Sequence, residues 1–250
     1  MNYAALHRHA QVTLSRSAVA HNLAVIKNHA HAQQVMAVLK ANAFSHGLPE
    51  MAMLSIQSGA TRFGVAMLDE ALALRDLGYQ QPIDVLGLAD PHFVRLAAQR
   101  DITLAFSSLA TIQQAAKVLA DTSLHLKVSL PVDTGLNRIG FKERDQLVLA
   151  IQEVVDSKQL EFHSLWTHFA TADTPNETYV DFQISEWQRL TQNLPAQPKE
   201  QHFANTGMAT WYADKVDTDI VRLGVGLFGI DSSEPTMPMP FELEPVLELT

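Results

Sequence analysis

The chain contains no cysteine. That absence excludes disulfides, thiolate ligation of iron–sulfur clusters and a thiol nucleophile, and it fits a reducing compartment. Basic clusters are missing too: the formal net charge is −9, which argues against nucleic acid as a partner. No apolar run approaches the ~20 residues of a membrane span, and Met1 to Ala10 carries His and Arg without the apolar core of a secretory signal. Internal repeats and low-complexity tracts are absent. His7, His21, His29 and His31 show no metal-like grouping and read as surface residues, so no metal is expected. These exclusions leave a cytoplasmic globular protein with no membrane or nucleic-acid partner as the default. At 47% hydrophobic and 18% charged, its 250 residues suffice for one large domain or two modest ones.

What is present is a long strand–helix alternation. Val12 to Leu14 is a short strand, and Ser15 or Ser17 caps a helix in which Val19, Leu23 and Ile26 keep helical spacing. Eight strands then follow, at Val35–Leu39, Arg62–Met67, Ile83–Leu88, Ile102–Phe106, Leu124–Leu130, Leu160–His168, His202–Ala204 and Asp219–Leu223. Helices are expected between them at Pro49–Ser58, Asp69–Leu77, Pro91–Gln99, Ser108–Ala120, Glu143–Ser157, Tyr179–Leu194 and, weakly, Met208–Tyr212. Eight such units predict a parallel sheet closed as a TIM-like (β/α)8 barrel over residues 12–232, with an open doubly wound sheet as the alternative. After Asp231 a Pro/Ser/Met linker begins. Phe241 to Thr250 then reads as the start of a new strand with nothing to pair to.

In a barrel the functional groups stand at the C-terminal ends of the strands, and phosphate often binds at the loops after strands seven and eight. That rim receives Lys40 after the first strand and Asp133-Thr134-Gly135 with Arg138 after the fifth. His168 follows the sixth, Asn205-Thr206-Gly207 the seventh, and Arg222 with Gly224-Val225-Gly226 comes at the eighth. Each has an ordinary reading: a snorkelling lysine, turn glycines, a satisfied core histidine. Arg222 between apolar neighbours is harder to dismiss, because a buried guanidinium needs acceptors. The alternative for Lys40 is an amine beside an apolar wall, poised to form a Schiff base.

These residues resemble the fold-type III alanine racemases, which depend on pyridoxal phosphate. Lys40 to Gly47 match the family's Lys-Ala-Asn-Ala-Tyr-Gly-His-Gly at six of eight positions. Asp133-Thr134-Gly135 with Arg138 and Gly140, Thr167 to Asp173, Asn205-Thr206 and Val221 to Gly229 are similar to its later motifs, in the same order. The resemblance implies that Lys40 holds the cofactor and moves the substrate's α-proton on one face. It implies that Arg222 donates to the pyridine nitrogen, supported by His168, and that an always-protonated partner keeps that nitrogen unprotonated. Asn205, Thr206, Gly224 and Val225 would surround the phosphate, and Arg138 would address the phenolic oxygen and the substrate carboxylate. The implied substrate is alanine, supplying D-alanine for peptidoglycan, and the implied assembly is a homodimer.

The departures are specific. Phe44 replaces a tyrosine whose hydroxyl reaches the phosphate, a loss of about 1.5–3 kcal/mol for one charge-assisted hydrogen bond. Pro131 stands where the family often has a carbamylated lysine, with Lys127 near but not at that position, and Ser45 replaces a glycine. Family members continue into a β-rich domain that supplies a catalytic tyrosine across the dimer interface. Residues 233–250 would then be a linker and the first strand of that domain, cut short, and this chain alone is expected to racemise poorly. A non-catalytic pyridoxal phosphate carrier and a related barrel decarboxylase for basic amino acids are the alternatives.

Overall fold

A computed structural model describes residues 9–215, 218, 220–233, 235 and 237–250. Strand β1 (Val12–Leu14) leads into helix α1 (Arg16–His29), and the Ser15 hydroxyl caps it by accepting from the Ala18 N–H at 3.2 Å. The alternation then runs β2 (Gln34–Val38), a short helical turn α2 (Lys40–Phe44), α3 (Leu48–Gln57), β3 (Arg62–Val65), α4 (Leu68–Asp76) and β4 (Ile83–Leu88). It continues through α5 (Val94–Gln99), β5 (Thr103–Ala105), α6 (Leu109–Leu119), β6 (Leu126–Pro131), α7 (Arg144–Asp156) and β7 (Leu160–Trp166). The last pieces are α8 (Glu177–Thr191), β8 (Glu200–His202), α9 (Thr206–Trp211), β9 (Ile220–Leu223) and β10 (Leu247–Leu249).

Strands β2 to β9 form one parallel sheet in the order β8-β7-β6-β5-β4-β3-β2-β9. Among the described residues its two edges meet through one bridge, Asn205 to Arg222, with the Arg222 N–H donating to the Ala204 carbonyl at 2.9 Å. The expected barrel therefore forms, closed at its last seam by the residues just past β8. Alternation along the strands divides the side chains. Val35, Ala37, Phe63, Val65, Ile83, Val85, Val128 and Leu130 join the apolar core between strands and helices. The other face, toward the barrel axis, carries the buried polar set Arg62, Asp84, Ser129, Ser164, His202 and Arg222.

Several expectations shift. The helix at Pro91–Gln99 divides into a 3-10 turn over Pro91–Phe93 and then α5, because Asp90 caps the His92 N–H and Pro91 supplies no donor. The seventh strand lies at Glu200–His202, two residues before its expected start, since Asn205 is the N-cap of α9. The final strand does find a partner: β10 pairs antiparallel with β1, Leu14 opposite Leu247. The Asn22 side chain ties the approach to it, donating to the Glu244 carbonyl and accepting from the Glu244 N–H, each at 2.8 Å. His7 and the expected strand start at Asp219 lie outside the described residues.

Candidate active site

A cavity of about 460 Å³ opens at the C-terminal mouth of the barrel. Lys40, Arg138, His168, Asn205, Thr206, Arg222, Gly224 and Val225 all line it, whereas Asp133, Thr134, Gly135 and Gly226 of the same motifs do not. Phe44, Trp166 and Asp173 complete part of its wall.

Lys40 stands at the end of β2, where the chain does something its residue types do not favour. Ala41, Asn42, Ala43, Phe44 and Ser45 all have positive φ, between 51° and 69°. A left-handed residue with a Cβ costs roughly 1–2 kcal/mol, so this turn is strained. Its hydrogen bonds hold it: the Asn42 side chain accepts from the Leu48 N–H at 2.9 Å, and the Gly47 N–H donates to the Asn42 carbonyl at 3.1 Å. The turn brings the Phe44 ring beside the amine, with Lys40 Nζ 5.7 Å from the ring centroid.

Arg222, inside the barrel on β9, is 3% exposed. Its Nη1 donates to the His202 carbonyl at 2.5 Å and to His202 Nδ1 at 3.0 Å. Its Nη2 donates to the carbonyls of Thr167 (2.7 Å) and Phe203 (3.2 Å) and reaches His168 Nδ1 at 3.4 Å. The Trp166 ring lies 5.4 Å from Cζ. Burial lowers this guanidinium to about 9, with Asp84 raising it and Arg138 lowering it, so it remains protonated at neutral pH. His168 is pushed down to about 3, first by burial and then by Arg222, Arg138 and Lys40. It is a neutral imidazole at pH 7, and the arginine's donor assigns Nδ1 as acceptor.

Two loops make the polar end of the cavity. Asn205 caps α9, its side chain accepting from the Met208 N–H at 2.9 Å. The neighbouring Thr206 hydroxyl is buried without a hydrogen-bond partner among the described residues. Gly226 has no room for a side chain, since a Cβ would meet Thr206 Cγ2 at 2.6 Å; the missing Cβ lets the loop after β9 close onto the loop after β8. At Gly224 a Cβ would come within 3.6 Å of Phe44 Cζ, placing the aromatic tip against this end of the site.

Arg138 is exposed at the rim on a loop that is itself fixed. Asp133 Oδ1 accepts from the N–H groups of Gly135 (3.0 Å) and Asn137 (2.9 Å). Gly140 adopts φ +123° where a Cβ would meet the Asp133 nitrogen at 2.6 Å, a position only glycine fills. Pro131 ends β6, and Lys127 pairs with Asp101 at 2.7 Å near the start of that strand, away from Arg138.

Three supporting residues escape the motifs. His202 holds the Arg222 guanidinium. Gln183 on α8, fully buried, donates to Thr134 Oγ1 (3.0 Å) and the His168 carbonyl (3.2 Å) and accepts from the Ala170 N–H (2.8 Å). Its sequence signal is an amide on the face that Val180 and Leu190 bury. Glu70 on α4 accepts from three backbone N–H groups, one of them beside Lys40.

Comparison with known proteins finds the family that the motifs resemble. The family model described as alanine racemase, N-terminal domain, matches residues 14–232. The alanine racemase of Levilactobacillus brevis is 38% identical over 98% of this chain and 66% of its own length. Among solved structures, the histidine racemase from Leuconostoc mesenteroides subsp. sake is 71% identical with a TM-score of 0.97, covering 99% of this chain and 67% of that one. The alanine racemase from Bacillus anthracis with bound L-Ala-P is 33% identical with a TM-score of 0.91, covering 98% and 64%. The chain thus spans slightly under two thirds of the curated alanine racemases it matches first. By motif, fold and family match alike, the chain belongs to the alanine racemase N-terminal domain family.

Proposed function

We propose that this chain is the pyridoxal phosphate barrel of an amino-acid racemase, with Lys40 as its attachment and proton-transfer residue. The observation that carries the reading is the shared cavity: one amine, one buried guanidinium, one neutral imidazole and two small-residue loops line the same space. The lining suits the cofactor. Thr206 offers a buried hydroxyl with no partner among the described residues, at the point where the loops after β8 and β9 touch, and a phosphate would supply an acceptor for it. Arg222 offers a planar donor held in place by carbonyls and two imidazoles.

The residue roles follow. Asn205, Thr206, Gly224 and Val225 cradle the phosphate. Arg222 donates to the ring nitrogen and, staying protonated, keeps that nitrogen unprotonated. When bound, pyridoxal phosphate withdraws electrons from the substrate's Cα–H bond and makes its proton removable. Lys40 holds the cofactor's aldehyde carbon, then takes or returns the α-proton on one face. Arg138 addresses the substrate carboxylate. Racemisation needs a second acid–base group on the opposite face, which we assign to the C-terminal β-domain of full-length relatives, contributed across a homodimer. We further assign the protein to the cytoplasm and to D-alanine supply for peptidoglycan; no helix among the described residues is long and apolar enough to cross a membrane.

Alanine is the substrate named for the relatives at 38% and 33% identity. Histidine, named for the structure at 71%, is the second reading, and the higher identity favours testing it beside alanine. The test is to load the protein with pyridoxal phosphate, reduce with borohydride and map the label. Labelling at Lys40, lost in Lys40→Ala, is expected; labelling elsewhere sinks the assignment. Racemisation of L-alanine and L-histidine then decides the substrate, and these 250 residues alone are expected to turn over either poorly.

A further inference from the structure

We propose that Glu70 is the positioning residue for Lys40. The inference rests on the reading of Lys40 as the cofactor's attachment site. It starts from the strained turn: five successive residues with side chains, Ala41 to Ser45, hold left-handed φ values immediately after that lysine. Such a run persists only where its surroundings over-determine it.

The far end of the turn is self-contained, tied by Asn42 to Gly47 and Leu48. The near end has one bond of its own, from the Ala43 N–H to the Leu39 carbonyl at 2.9 Å, and one from outside the turn. The Ala41 N–H, on the peptide that joins directly to Lys40, donates to Glu70 Oε1 at 2.6 Å. Glu70 Oε2 accepts from the N–H groups of Ala66 at 2.8 Å and Met67 at 3.1 Å. One carboxylate therefore bridges the C-terminal end of β3 and the turn that follows β2. Capping α4 explains the bond to Met67, but not the bond 29 residues away to Ala41. Charge assistance makes all three bonds stronger than neutral ones. A glutamine cannot replace the carboxylate, because its single carbonyl oxygen serves one side while its NH2 faces donors on the other.

The experiment compares wild type, Glu70→Gln, Glu70→Ala and Asp69→Ala, the last being an exposed acidic residue in the first turn of the same helix. Two quantities are measured on each: the rate and pH midpoint of pyridoxal phosphate capture at Lys40, read by absorbance and borohydride trapping, and the amide exchange of the 40–47 peptide. Both Glu70 variants are expected to capture on the order of tenfold more slowly, the loss of one charge-assisted hydrogen bond. Their pH midpoint is expected to shift and amide exchange in 40–47 to quicken, with Asp69→Ala unchanged in each. Capture rate and midpoint equal to wild type in both Glu70 variants overturn the proposal, whatever happens to thermal stability. If wild type itself takes no pyridoxal phosphate at Lys40, the functional reading fails and with it this role. Exchange of 40–47 unaltered by Glu70→Gln overturns the clamp independently of any cofactor.

Discussion

Phe44 shows how much one atom can decide at this site. Its ring packs against Phe228 at 5.1 Å and stands over the Lys40 amine, with Cζ pointing at the position a Gly224 Cβ would occupy. A hydroxyl on that carbon would enter the end of the cavity where Thr206 already offers one unpartnered oxygen. Phe44→Tyr should therefore tighten pyridoxal phosphate by about 1.5–3 kcal/mol, the value of a hydrogen bond to a charged group, or roughly ten- to a hundredfold in Kd. Equilibrium titration of the two proteins measures this directly. Equal affinities would mean that the tip of residue 44 lies outside the phosphate's reach. The change fills space the ring already borders, so little loss of stability should accompany it.

Among the elements, the strands were the legible part. Val35 to Leu39 announces itself as an apolar run, and all eight barrel strands stand within a few residues of their expected bounds. Lys40, Arg138, His168, Asn205 and Arg222 were legible because a barrel obliges chemistry to sit where strands end. The helical turn Lys40–Phe44 was not. Ala-Asn-Ala carries no glycine to signal positive φ, and one of the bonds that hold the turn, from the Ala41 N–H, goes to Glu70 on another helix. Gln183 was missed for a similar reason: a single amide on a helix face says nothing about its partners. Yet it joins the loop after β6 to the loop after β7 through Thr134, the His168 carbonyl and the Ala170 N–H. Gln183→Leu conserves most of the volume but strips the half-buried His168 carbonyl and Ala170 N–H of their bonds to it, while Thr134 keeps Thr167 at 2.8 Å, which should cost about 1–3 kcal/mol for each orphaned group where water cannot enter. Urea unfolding should show that loss, and the rate of Lys40 labelling should fall less, since Lys40 lies on a different loop. A variant as stable as wild type would show that water already satisfies those groups.

Across the whole molecule, the barrel axis is polar, and this makes stability a function of pH. His202 is fully buried and sits well below the usual imidazole range, through burial first and then Arg222 and Arg62. His168, which keeps an edge on the cavity, is held at about 3. In the unfolded chain both titrate near ~6.5. Between those values the unfolded state binds protons that the folded state refuses, so stability falls as pH falls. Each such proton contributes a slope of about 1.4 kcal/mol per pH unit. His202 should supply its full share and the partly exposed His168 less, for a combined slope of one to two protons below pH 6.5. Asp84 opposes them. Burial raises its carboxyl, against the pull of Arg62 and His163, so the folded state keeps that proton at a pH where the unfolded chain has lost it. Acid therefore favours folding through this one group. Urea midpoints should accordingly be flat from pH 8 to 7 and decline from about 6.5 downward. His202→Gln, which keeps an acceptor for Arg222, should remove close to one proton from the slope. Asp84→Asn should steepen the decline only in the acid range above the unfolded carboxylate value of ~3.9, where the folded carboxyl still holds its proton. If the midpoints stay level from pH 7 to 5 in wild type and in both variants, the barrel interior exchanges protons freely with solvent, and the neutral imidazoles beside Arg222 are not enforced by the fold.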